Sequence, residues 1–146
     1  MAEGQSEMIK IELNRLNDAF HMEATNDIGN SVHIDASPDI GGTNQGMRPM
    51  QLLLAALGGC SSIDVINILK KQKQDLKDIK VTITGEREKN VVPSLFIEVH
   101  AHFKFFGNLD DAKVQKAVAL GVDKYCSVAK TLGYKARITH SYEIVN

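Results

Sequence analysis

The sequence predicts an α+β fold in the order βββ-α-ββ-α-β, on three grounds. Short segments alternate apolar and polar residues, the period of a strand with one buried face. Two longer stretches, opening near Pro49 and Asp110, carry helical patterns instead. The strands come in runs rather than alternating singly with helices, which predicts antiparallel pairing.

Ile9, Ile11 and Leu13 share one face of a first strand, Phe20, Met22 and Ala24 of a second, and Val32, Ile34 and Ala36 of a third. With the turn Asn26-Asp27-Ile28-Gly29-Asn30 between the last two, they read as an antiparallel meander. A loop of turn formers, 37–46, leads to Pro49, which suits a first helical position. From there to about residue 73 the pattern is helical. Residues 50–60 are apolar almost all round, so that half of the helix must be buried on every side, and a second subunit is the natural cover. The rest narrows to a stripe of Ile63, Ile66 and Leu69 and ends in cations that suit a helix C-terminus. Ile79, Val81 and Ile83 mark a fourth strand; Leu95, Ile97, Val99, Ala101, Phe103 and Phe105 form the inner face of a long fifth. Asp110 and Asp111 open a second helix with Val114, Ala117, Val118, Gly121 and Tyr125 inward, weakening near Cys126 and ending by Gly133. Ala136, Ile138, His140, Tyr142 and Ile144 line the last strand.

At 146 residues, with 43% hydrophobic, the chain fits a single domain, 1–146, with its own core. A net charge of −1 gives no long-range pull toward nucleic acid or an anionic membrane. Residues 1–7 are polar and acidic, without the basic and apolar regions of a signal peptide. The apolar run 50–60 is too short to span a bilayer and is interrupted by Gln51, so a cytoplasmic protein is expected. The two cysteines, Cys60 and Cys126, are too few for a disulfide scaffold and form no CxxC. Such a pair is either two small buried hydrophobes or a catalytic or sensing couple.

Gly41-Gly42-Thr43-Asn44-Gln45-Gly46 lacks the Lys-Ser/Thr of a phosphate-binding loop and reads as a strand-to-helix connection. Glu98, His100 and His102 share a strand face without further ligands, so no metal is expected there. Lys70-Lys71-Gln72-Lys73 reads as a solvated helix end. Gly58-Gly59 stands apart: each glycine within a helix costs about 1 kcal/mol relative to alanine, which suggests close approach of another backbone or a ligand beside Cys60.

Gly41-Gly42, then the run from Arg48-Pro49-Met50-Gln51 through Gly58-Gly59-Cys60-Ser61-Ser62 to Asp64-Val65, resembles the central-helix signature of the OsmC/Ohr superfamily. Tyr125-Cys126-Ser127-Val128 resembles its second-cysteine segment, and the likeness is to the OsmC-like branch. The resemblance implies an OsmC-like fold of antiparallel sheets wrapped around two central helices in an intertwined homodimer. It implies that Cys60 attacks an organic hydroperoxide to give a sulfenic acid and that Cys126 resolves it to a disulfide. A dithiol reductant would restore both thiols, with no metal, haem or flavin cofactor.

Two departures from that family stand in the sequence. Its active members place a Glu one or two residues after the helix-starting Pro and an Arg in the meander. Here Met50 and Gln51 follow Pro49, and 20–36 holds no Arg. Gln51 can still hydrogen-bond, Arg48 or Arg15 would have to replace the cation, and Asp64 adds a negative charge four residues after Cys60. The two functions to weigh are therefore a thiol peroxidase for lipid-like hydroperoxides and a weakly active or non-catalytic dimer that binds a small apolar or thiol-reactive ligand.

Overall fold

The computed structural model describes residues 6–146; the head of the polar segment read as lacking a signal peptide, 1–5, lies outside the described residues. The chain divides into two compact units, one ending at Leu52 and the other Leu53–Asn146.

The first unit is the expected meander: β1 (Glu12–Arg15), β2 (Met22–Thr25) and β3 (Ser31–Ile34), paired antiparallel in that order. β1 is shorter than the alternation of Ile9, Ile11 and Leu13 predicts. Its first residue, Glu12, pairs with Thr25, beyond which β2 enters the turn at Asn26, so Ile9 and Ile11 have no strand to pair with. Phe20 likewise falls in the β1–β2 connection, where Asn17 Oδ1 accepts from the amides of Ala19 and His21. One face of this sheet, with Ile11, Leu13, Ala24, Val32, Ile34 and Leu52, lines an open apolar cleft of about 380 Å³.

After β3 the chain folds back on itself through a carboxylate. Asp35 Oδ1 accepts from Ala36 N–H at 2.8 Å, while Oδ2 accepts from Thr43 N–H, Thr43 Oγ and Gln45 N–H at 3.2, 2.9 and 3.0 Å. Led by the Gln45 amide, and against the opposing effect of burial, these donors hold the Asp35 carboxyl at about 2, below its ordinary 3.8. The loop closes tightly enough to demand glycine: a Cβ on Gly42 would lie 1.8 Å from Ala36 O, and one on Gly46 2.4 Å from the His33 carbonyl carbon. Because its folded pKa is depressed, Asp35 stabilises the loop fully above about 3.8, and that contribution is lost as pH falls through about 2. Asp35→Asn is expected to lower the melting temperature by several degrees at neutral pH and to flatten the acid limb in that window. Circular-dichroism melts from pH 7 to below 2 check this; an unchanged acid limb would remove Asp35 from the account.

The second unit holds most of α1 (Pro49–Lys71), then β4 (Asp78–Arg87), β5 (Phe96–Phe106), α2 (Asp111–Ala119), a π-helical segment (Leu120–Tyr125), α3 (Ser127–Leu132) and β6 (Arg137–Val145). α1 starts at Pro49 and α2 starts at an Asp110 cap that accepts Lys113 N–H, both as expected. The strand order is β4-β5-β6. β4 and β5 pair antiparallel, but β5 and β6 run parallel, which corrects the expectation of antiparallel pairing throughout. The crossover between β5 and β6 carries α2, the π segment and α3, and a connection of that length permits parallel pairing where a tight turn does not.

Val99, Ala101, Phe103 and Phe105 of β5 are buried as predicted, with the last two rings stacked at 5.9 Å. Leu95 and Ile97 are not: they are exposed, and Phe96 is buried instead. The register slips between Glu86 and Arg87, which face Glu98 and Phe96, so Ile97 is an extra residue and the alternation inverts beyond it. Gly85 makes room for the Phe96 ring, since a Cβ there would lie 2.6 Å from it.

Candidate functional site

α1 is long and apolar enough to cross a membrane by length and composition, which the run 50–60 taken alone is not. It buries a narrow stripe of Leu57, Ser61, Val65 and Leu69. Of the expected stripe, Leu69 is buried, whereas Ile63 is 70% and Ile66 40% exposed in the single chain. The reason is steric. The stripe faces the π segment at Gly121, where a Cβ would stand 2.6 Å from Val65 Cγ2 and 3.6 Å from Ser61 O. Small residues at Ser61 and Gly121 let the two backbones approach, and larger side chains turn away. A Cβ on Gly58 would stand 3.0 Å from Ile83 Cγ1 of β4, whereas one on Gly59 would face open space.

The π segment then sets the position of the second cysteine. Its wider turn changes the helical phase after Leu120, so Gly121 and Val122 are buried while Tyr125, expected inside, is 51% exposed. Cys126 leaves the helix in an extended conformation, φ −72° and ψ 107°, and caps α3, its Sγ accepting Ala129 N–H at 3.3 Å. The same sulfur reaches toward Leu57 O at 4.0 Å, which seats it on the buried stripe of α1.

The structure thus brings together Cys60, half-buried on α1, and Cys126, fully buried, with their thiols facing each other as free cysteines. Burial pushes the Cys126 thiol above its ordinary value, the Ser61 hydroxyl and the Ala129 amide pull it back, and the Cys60 thiol raises it further. Ser61 Oγ is itself fully buried and, among the described residues, meets no partner within hydrogen-bonding geometry, a state that costs about 1–3 kcal/mol for a hydroxyl. The sequence reading does not single out Ser61. Its spacing of four from Leu57 and Val65 is the signal, masked because residues on every side of α1 are apolar.

Arg48 and Gln51 lie at the head of α1, in the first unit. The Arg48 guanidinium donates to Gly46 O at 3.2 Å and to Asn44 Oδ1, and Gln51 Oε1 accepts Arg48 N–H at 2.9 Å, half of a capping box. Arg15 ends β1 on its exposed surface. Among the described residues, no Arg, Lys or His forms an ion pair or hydrogen bond with either thiol. Asp64, Asn67, Ile68, Lys71, Leu120 and Tyr125 line a cleft of about 390 Å³. On β5, His100 and His102 are engaged by hydroxyls of β6, His100 by Thr139 and Ser141 and His102 by Ser141.

The fold and the facing cysteines define an α+β protein of the OsmC type. Residues 42–141 match the OsmC-like protein family. The chain belongs to that family. It is 49% identical over 98 residues to protein YhfA of Escherichia coli K12, a match covering 66% of this chain and 72% of the relative. The crystal structure of a hypothetical protein from Aquifex aeolicus is similar with a TM-score of 0.78 and 29% identity, covering 97% of this chain and 100% of that one. An organic hydroperoxide resistance protein OsmC from Legionella pneumophila shares the fold at a TM-score of 0.70 and 14% identity, covering 94% of this chain and 99% of that one.

Proposed function

We propose that this chain is a thiol-dependent peroxidase for organic, lipid-like hydroperoxides. The observation that carries the reading is the unequal pair: a half-buried Cys60 thiol against a fully buried Cys126 thiol. The Cys60 thiolate gives an electron pair to the distal peroxide oxygen; the S–O bond forms, the O–O bond breaks, and the alkoxide takes a proton to leave as an alcohol. Cys126, losing its proton, then attacks the sulfenic sulfur; the S–S bond forms and hydroxide leaves as water. An external dithiol reduces the disulfide by two successive exchanges. The name of the Legionella protein, hydroperoxide resistance, supports the substrate class. The chain would act as a homodimer in the cytoplasm.

One observation favours the second reading, a dimeric protein that binds an apolar or thiol-reactive ligand without efficient turnover. Arg48 is bonded to Gly46 and Asn44, and Gln51 caps the helix, so neither is at liberty to assist a peroxide without giving up a bond. Preorganised donors at developing charge are worth about 3 kcal/mol, so the enzyme is expected to be slower than relatives with a complete Arg–Glu pair. Stopped-flow thiol loss with cumene hydroperoxide and with hydrogen peroxide tests both readings. The organic peroxide is expected to react at least several-fold faster. Loss of two hydrogens per chain by mass spectrometry, after one equivalent, is the expected product. Inertness toward both peroxides would favour the binding protein.

A further inference from the structure

We infer that the Ser61 hydroxyl is the hydrogen-bond donor that holds the Cys126 sulfur as it attacks Cys60, so that Ser61 governs the resolving step and not the peroxide step. The inference rests on the peroxidase reading for its biological setting, but its geometry does not depend on peroxide. A buried serine within a helix ordinarily satisfies itself by donating to the carbonyl four residues back. For Ser61 that carbonyl is Leu57 O, and Ser61 Oγ does not use it. The Cys126 sulfur lies against Leu57 O instead, at 4.0 Å, on the turn of α1 that carries Ser61. The hydroxyl is therefore fully buried, uncommitted among the described residues and near enough to act on the Cys126 thiol.

Packing around that turn is close: a Cβ on Gly121 would stand 2.6 Å from Val65 Cγ2 and 3.6 Å from the Ser61 backbone carbonyl oxygen. While Cys126 is a thiol, the hydroxyl stays unused. Once Cys126 gives up its proton, a second donor joins the Ala129 amide on the sulfur, at the moment when burial penalises the charge most. The Ser61 bond is thus made in the charged state of the resolving step and absent from the resting state, which is what accelerates a step rather than stabilising its starting point.

The test uses dithiodipyridine in place of peroxide. Cys60 thiolate attacks the reagent, its S–S bond breaks, and one pyridinethione is released. Cys126 then attacks the Cys60 sulfur of the mixed disulfide, forming the protein disulfide and expelling the second pyridinethione, which takes up the proton. Both releases are read by absorbance. Ser61→Ala is expected to leave the first phase unchanged and the melting temperature no lower, to slow the second phase by about tenfold at neutral pH, and to move its pH midpoint upward. Val65→Ala loosens the same packing without touching the hydroxyl and should leave that midpoint where it is. A second phase with wild-type rate and midpoint in Ser61→Ala overturns the inference, as does an equal midpoint shift in Val65→Ala. A wild type that reacts in both phases here but not with peroxides would end the peroxidase reading and leave the role of Ser61 standing.

Discussion

Cys126→Ser is expected to consume one equivalent of organic hydroperoxide and stop, with a sulfenic acid trappable at Cys60, while Cys60→Ser consumes none at a measurable rate. The asymmetry follows from exposure and from the state of the sulfur. Cys60 is open on one side, whereas Cys126 has no exposed surface, so a peroxide meets Cys60 first. Burial also holds Cys126 in its thiol form, raised further by the neighbouring Cys60, so it is the poorer first nucleophile. After Cys60 is oxidised, the developing Cys126 thiolate no longer faces another thiolate, and resolution becomes the easier direction. Dimedone labelling followed by peptide mass spectrometry reads the outcome. A label appearing on Cys126 in Cys60→Ser as fast as on Cys60 in Cys126→Ser would reverse the assigned roles.

How much of this was readable from the sequence depended on whether local chemistry or long-range packing set each feature. Pro49 and the closing lysines marked α1 to within two residues, and Asp110 marked the cap of α2, because capping is a local property. The weakening of the second helix near Cys126 was readable too, and it is the break that presents the sulfur to α1. The alternation in β5 could not reveal that Ile97 is an extra residue, because an apolar residue at every position from Leu95 to Ile97 fits either face. Tyr125 was misplaced because a helical wheel assumes the α period, and the π segment shifts it. The parallel partnership of β6 is set by the long crossover, which strand patterns do not report. On α1 the apolar surface runs nearly all round, so periodicity gave no phase. The buried stripe follows Ser61 and Gly121, the positions where small size permits contact. At the site, the two cysteines were legible as a pair, but the sequence carried no sign of which donors surround the second.

The remaining large effect concerns assembly. Ile63→Glu is expected to convert a homodimer into a monomer, raising the dissociation constant on the order of a hundredfold or more. In the single chain Ile63 is 70% exposed and Ile66 40%, with open space at Gly59 of the same helix. A helix this apolar with only Leu57, Ser61, Val65 and Leu69 buried leaves a contiguous apolar face of the kind that marks an interface. Gly59 fits the same picture: its lack of a side chain relieves no clash within the chain, so its helix-weakening effect makes sense where another surface comes close. Burying a large aliphatic side chain contributes about 1.5–3 kcal/mol, and in a two-fold interface each substitution counts twice. Losing about 3 kcal/mol corresponds to roughly a hundredfold in affinity, before the added penalty for desolvating a carboxylate. Sedimentation equilibrium from nanomolar to micromolar protein measures both species. If the unsubstituted chain is already a stable, folded monomer at micromolar concentration, α1 needs no cover and the dimer is wrong. If Ile63→Glu dimerises as well as its parent, the interface lies elsewhere.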